Sequence, residues 1–86
     1  MPEVSRFYGI VITFNFDDHL PPHFHARYGE FAMSLTIDGL LVMKGSLPKR
    51  AFRLVRDWAE EHRAELRSNW RRARRGVPLV PIPPLD

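Results

Sequence analysis

The sequence predicts an α+β fold, an antiparallel β-meander of three or four strands packed against one bent or two successive C-terminal helices. Three observations predict it. Apolar residues alternate with a period of two through the first half of the chain. Short glycine-containing turn signals punctuate that alternation. From Leu47 onward the apolar spacing changes to three or four residues. The 86 residues read as a single domain over 1–86, with 77–86 an extended proline-rich tail.

In FYGIVITFNF, Tyr8, Ile10, Ile12, Phe14 and Phe16 alternate with Gly9, Val11, Thr13 and Asn15, which predicts a strand with its even positions inward. Pro21 and Pro22 interrupt the pattern, because neither can donate to a ladder. Alternation resumes at His23, with Phe24, Ala26 and Tyr28 on one face and His23, His25 and Arg27 on the other. Gly29-Glu30 suits a two-residue type II′ turn, glycine supplying the positive φ at the first central position. That turn sets Tyr28 opposite Phe31, His25 opposite Ser34 and His23 opposite Thr36. The apolar face of Phe31, Met33, Leu35 and Ile37 then continues that of Phe24. Asp38-Gly39 is a type I′ hairpin signal, and LLVMKG supplies the next strand. Because that strand is apolar on both faces, it is expected to cover part of the histidine side.

Ala51, Leu54, Val55, Trp58, Ala59, His62, Leu66, Trp70 and Ala73 form an amphipathic helical stripe. Pro48 fits the first helical turn and Gly76 the position just past the end. An unbroken helix from 48 to 75 would be about 42 Å long, too long for so small a domain to cover, so a bend or break is expected near His62 to Glu65. The tail VPLVPIPPL is extended and expected to lie on the domain or on a partner. The expected core joins Phe24, Tyr28, Phe31, Met33, Leu35 and Ile37 to Phe52, Val55, Trp58 and Leu66.

Composition narrows the chemistry. The chain is 44% hydrophobic, 12% aromatic and 27% charged, values of a globular rather than a disordered protein. It has no cysteine, which excludes disulfides, thiolate zinc sites and iron–sulfur clusters. No apolar run approaches the ~20 residues that span a bilayer, and MPEVSRFYG lacks a signal-peptide pattern, so a cytoplasmic protein without membrane partners is expected. The net charge of +3 is uneven: residues 1–46 carry three basic and five acidic side chains, residues 47–86 ten and five.

The stretch DDHLPPHFHARYGE, residues 17–30, concentrates the candidate chemistry. His23 and His25 point the same way from a strand, His19 can fold back over the double proline, and Asp17 or Asp18 can complete a ligand set. Asp17, His19, His23 and His25 are therefore the metal candidates, with imidazole and carboxylate donors that suit a divalent metal such as zinc, nickel, copper or iron. Catalysis would draw on His23, His25 and Arg27, one histidine as general acid or base and the arginine steadying an anion, in a nuclease or metal-dependent hydrolase built on the His19, His23 and His25 cluster. Against both stands a plain structural role. Asp17, Asp18 and His19 can satisfy the backbone of a Pro-Pro turn, while His23 and His25 bond across strands to Thr36 and Ser34. His62, on the helical stripe, reads as a packing histidine.

RSNWRRARR carries Arg67, Arg71, Arg72, Arg74 and Arg75 without an acid among them. A solvated helix end complementing the dipole is the ordinary outcome, and contact with an acidic partner or nucleic acid the functional one. Trp58 and Trp70, both on the stripe, are expected in the core.

SRFYGIVI at 5–12, DDHLPPHFHARYGE at 17–30, LPKRAFRLVRDWAEEHR at 47–63 and NWRRARRG at 69–76 together resemble a family of small bacterial proteins classed as domain of unknown function 4160. The most specific element is His19, Pro21, Pro22, His23, His25 and Ala26. The resemblance implies a cytosolic protein encoded beside a second small protein, in an arrangement read as a toxin–antitoxin pair. It carries over no catalytic residues. The arginine-heavy end departs from the more mixed helix expected of such proteins. The leading functional expectation is an interaction module that binds a cognate small protein, through the proline-rich tail or the LLVMKG edge. The enzyme and nucleic-acid readings are the alternatives, and homo-oligomerisation stays open.

Overall fold

Five strands, rather than three or four, build the sheet. The computed structural model describes residues 2–86. In chain order its elements are β1 (Glu3–Phe7), β2 (Ile10–Thr13), β3 (His23–Tyr28), β4 (Phe31–Thr36), β5 (Val42–Ser46), α1 (Lys49–Glu61) and α2 (Arg63–Arg75). The strands form one antiparallel meander in the order β1-β2-β3-β4-β5. The α+β class stands, with the helices on one face of the sheet.

The extra strand, β1, precedes the run expected at 8–16, which is itself a strand only from Ile10 to Thr13. Tyr8 and Gly9 both adopt positive φ, 50° and 80°, as the two central residues of a type I′ turn must. Phe7 therefore pairs with Ile10, and a register irregularity follows between Glu3 and Ser5. Ile10, Ile12 and Phe14 are buried as the alternation predicts, but Tyr8 and Phe16 at its ends are exposed. The β3–β4 hairpin has the predicted register, Tyr28 opposite Phe31, His25 opposite Ser34 and His23 opposite Thr36, with Gly29 at φ 57°. At its turn end, Tyr28 and Phe31 are exposed rather than in the core.

The next turn departs from the Asp38-Gly39 signal. Leu40 takes the positive φ, 53°, and the loop closes by paired bonds between Thr36 and Leu41. The Thr36 N–H donates to the Leu41 carbonyl at 2.9 Å, and the Leu41 N–H donates to Thr36 Oγ1 at 3.0 Å. β5 then runs along the edge with its register shifted at Ser34/Leu35, and Gly45 at φ 75°, opposite Met33, lies so close to the Ala32 carbonyl that a Cβ would collide with it. Every residue of β5 is exposed. It does not cover the histidine side, because an edge strand outside the helical layer has nothing to pack on.

The helical stripe breaks where its length requires. The molecule's longest extent is 33 Å, shorter than the roughly 42 Å of one straight helix. His62 is the joint: its N–H is shared by the Trp58 and Ala59 carbonyls, and its own carbonyl accepts from Leu66 to start α2. Its ring bonds to Glu65 Oε1 at 2.6 Å and packs on Trp58, the structural role expected of it. Gly76, at φ 71°, ends α2 with its N–H on the Ala73 carbonyl.

Trp58 is fully buried at the centre of the core, its ring 5.3 Å from Phe7 and 6.1 Å from Phe24. Its indole N–H donates to the Pro83 carbonyl at 2.8 Å, which brings the tail onto the domain. Two further anchors complete the docking. Asn69 grips Val80 on both sides, Nδ2 to its carbonyl and Oδ1 to its N–H, each at 2.8 Å. The Ile82 N–H donates to the Val4 carbonyl at 2.8 Å, so the tail closes the outer edge of β1. Ile82 is buried, and the tail is part of the fold rather than a free contact segment.

Asn69→Ala leaves the Val80 amide and carbonyl without their side-chain partner at a part-buried site. The variant is expected to lose about 1–3 kcal/mol of stability in urea denaturation and to become cleavable after Val77–Val80 at low protease concentrations that spare the wild type.

Candidate functional site

The double proline determines what the histidine stretch can do. The chain leaves β2 at Thr13, crosses residues 14–22 without regular structure, and re-enters the sheet at His23. The Leu20–Pro21 peptide is cis, and the Pro22 carbonyl accepts from the Ile37 N–H at 3.0 Å, which ties the loop to the far end of β4. In this arrangement Asp18 lies over the first residues of β3.

There Asp18 Oδ2 meets two imidazoles. It is 2.8 Å from His25 Nε2 and 3.2 Å from His23 Nε2, with the Asn15 amide 3.3 Å from His25 Nε2. His23 Nδ1 lies 2.8 Å from the Pro21 carbonyl. The two imidazoles stand edge to face at 5.1 Å, as side chains two apart on one strand can. Behind them, the Trp70 ring packs on His23 at 5.3 Å. The side chains of His23, Asp18 and His25 are 6%, 17% and 29% exposed, so the cluster is closed on the Trp70 side and reached past His25.

His25 and Arg27 project from the uncovered sheet face, as the alternation predicts. His23 does not share that freedom, because Trp70 of α2 packs against its ring and His23 is buried. Of the metal candidates, His23 and His25 converge while Asp17 and His19 do not. Those two line a surface depression with Phe16, Leu20 and Arg74, and Asp18 takes the carboxylate position. Among the described residues, Asp18, His23 and His25 bring one donor atom each to within 4.8 Å of one another. Arg27 stands apart from this cluster. It lines a shallow groove of about 580 Å³ on the open sheet face with His25, Thr13, Ser34, Arg6 and Lys44.

The arginine run separates into different roles. Arg67 pairs with Asp38 at 2.8 Å, and Arg74 lies over the Trp70 ring at 5.7 Å. Arg67, Arg71, Arg74 and Arg75 are exposed at helical spacing, whereas Arg72 is half-buried with its Nε unpartnered. Trp58 and Trp70 are both in the core. Asn15 was not singled out by the sequence reading. The signal for it was a polar amide at the end of an otherwise apolar run. Among the described residues, no helix is long and apolar enough to cross a membrane.

Electrostatics at Asp18 are a contest. Burial raises its carboxyl pKa, but the hydrogen bond and charge of His25, the charge of His23 and the hydrogen bond of Asn15 outweigh it, so the net shift is downward. Comparison with known proteins places the chain. Residues 9–71 match the family model described as "Domain of unknown function (DUF4160)", and the chain belongs to that family. No curated protein and no solved structure matches it.

A carboxyl whose folded-state pKa is depressed adds stability above its unfolded value and loses it as pH falls through the folded one. With chelator present, Asp18→Asn is expected to be less stable than wild type by about 1–3 kcal/mol at neutral pH. That gap should shrink once pH drops below the ordinary carboxyl value of 3.8. Urea titrations of both proteins across a pH series measure it, and a gap constant into strong acid would assign the effect to packing instead.

Proposed function

We propose that this member of the family is a small interaction module, one half of a toxin–antitoxin-like pair, that docks its cognate protein by strand addition at β5. The observation that supports this reading is the asymmetry of the two sheet edges. β1 is closed by the chain's own tail through the Ile82–Val4 bond. β5 has no strand beyond it among the described residues and leaves Leu41, Val42 and Met43 exposed at 68%, 49% and 43%. An unpaired edge is a template for a further strand, with main-chain bonds giving affinity and alternate side chains giving specificity.

The chemistry of the partner follows from what borders that edge. Lys44 on β5 and Arg27 on β3 both face the open groove, and the exposed arginines of α2 add to the positive field. An acidic partner segment fits this surface and would be steered to it. The shifted register at Ser34/Leu35 and the lysine on the edge are features that discourage indiscriminate strand pairing, so only a segment of matching shape and charge gains the contact.

Co-expressed with the product of its neighbouring gene, the protein is expected to elute from a sizing column as one complex at micromolar concentration. The double variant Val42→Lys, Met43→Glu should weaken that complex by about tenfold or more while its circular dichroism stays unchanged. Separate elution of the wild-type pair would contradict the proposal.

A further inference from the structure

We infer that Asp18, His23 and His25 are a three-ligand site for a divalent first-row transition metal, zinc foremost, open on the side of the uncovered sheet face. The inference is independent of the strand-addition reading. It rests on where the lone pairs point. The Pro21 carbonyl can only accept, so the His23 Nδ1 that lies 2.8 Å from it carries a hydrogen. In the neutral ring Nε2 is then a bare lone pair, and it faces Asp18 Oδ2 at 3.2 Å. A carboxylate oxygen is also an acceptor. Two acceptors held face to face beside a buried ring repel one another unless a cation lies between them, and the same Oδ2 faces a second imidazole nitrogen at 2.8 Å.

That cation can be a proton or a metal, and the surroundings favour the metal. A ligating histidine ordinarily donates its other ring N–H to a carbonyl or carboxylate, which fixes the tautomer and the ring orientation. His23 makes that bond with Pro21, and its ring is wedged against Trp70. Orientation of the two imidazoles is further set by the strand, since positions 23 and 25 are paired across to Thr36 and Ser34. Two imidazoles and a carboxylate are a recurring donor set for zinc and non-haem iron, whereas magnesium and calcium prefer all-oxygen sites. Zinc ligands at about 2.0–2.2 Å from a tetrahedral ion are roughly 3.3 Å apart, close to the Asp18–His23 and Asp18–His25 spacings, and small rotations of the Asp18 carboxylate adjust the rest. Three protein ligands leave a fourth position. His25, the most exposed of the three, borders the groove, so that position is reached by water or by a partner's side chain.

The test uses untagged full-length protein stripped with chelator and titrated with zinc chloride by calorimetry, with tryptophan fluorescence followed in parallel. One zinc per chain at micromolar or tighter affinity is expected, with an emission change from Trp70, which touches His23. Asp18→Asn and His25→Ala should each weaken binding by more than about a hundredfold, beyond what loss of an outer partner costs. His62→Ala, which removes an imidazole paired elsewhere, should bind zinc like the wild type. Magnesium chloride should give no binding at the same concentrations. Zinc binding weaker than millimolar in the wild type would overturn the inference, and this arm does not depend on any variant folding. Wild-type affinity in folded His25→Ala, or loss of binding in His62→Ala whose circular dichroism matches the wild type, would overturn it equally.

Discussion

Trp58 is the point at which the sheet, the helical layer and the tail meet. Its ring fills the space between Phe7 on β1 and Phe24 on β3, while its single polar atom is satisfied by the Pro83 carbonyl. A buried indole needs such a partner, and a chain this short has little other apolar surface with which to close the core. The tail is therefore a structural member: without residues 80–83, the Trp58 N–H, both polar ends of Asn69 and the edge of β1 would all need water. Burying a side chain of this size contributes on the order of 3 kcal/mol, a large share of the stability expected for a domain so small.

The histidine cluster depends on the same packing at one remove. Because α1 is held by Trp58, the chain must turn at His62, and α2 is then steered by Arg63 on the Ile37 carbonyl and Arg67 on Asp38. That path places Trp70 against His23. The ring is backed by the helix, aligned by the strand and held at Nδ1 by the Pro-Pro turn, so its remaining nitrogen has one direction in which to point. His25 opens the cluster onto the uncovered sheet face, which continues across the same strands to Lys44 on the open β5 edge. Any ion at the cluster would thus sit where a partner approaching the open face meets the folded core.

Much of this was legible in the sequence where a regular period governs. Ile10, Ile12, Phe24, Met33 and Leu35 follow the period of two, and the Gly29 turn set the β3–β4 register correctly. The break at His62 followed from length alone. The misses fall where local geometry overrides pattern. β1 was hidden because a register irregularity between Glu3 and Ser5 spoils its alternation, and because Tyr8, a non-glycine residue, adopts positive φ. The Asp38-Gly39 signal misled because Thr36 Oγ1 closes a longer loop that shifts the positive φ to Leu40. For the site, that His23 and His25 share a face was readable from parity. That Asp18 rather than Asp17 or His19 completes the set was not, since residues 17–22 have no period. The cover by Trp70 depends on the direction α2 takes after His62. Asn69 left a usable trace, a polar residue on the apolar stripe between Leu66 and Ala73.

The central claim is that the His23 Nε2 lone pair is aimed at Asp18 to bind a metal ion. Side-chain nitrogen NMR of the histidines, recorded at neutral pH before and after zinc addition, tests it most directly. His23 is expected to keep its hydrogen on Nδ1 throughout, and zinc to shift the Nε2 resonances of His23 and His25 to metal-bound values while His19 and His62 stay put. A hydrogen on Nε2 of zinc-treated His23, or Nε2 resonances of both rings unmoved by zinc, would contradict it.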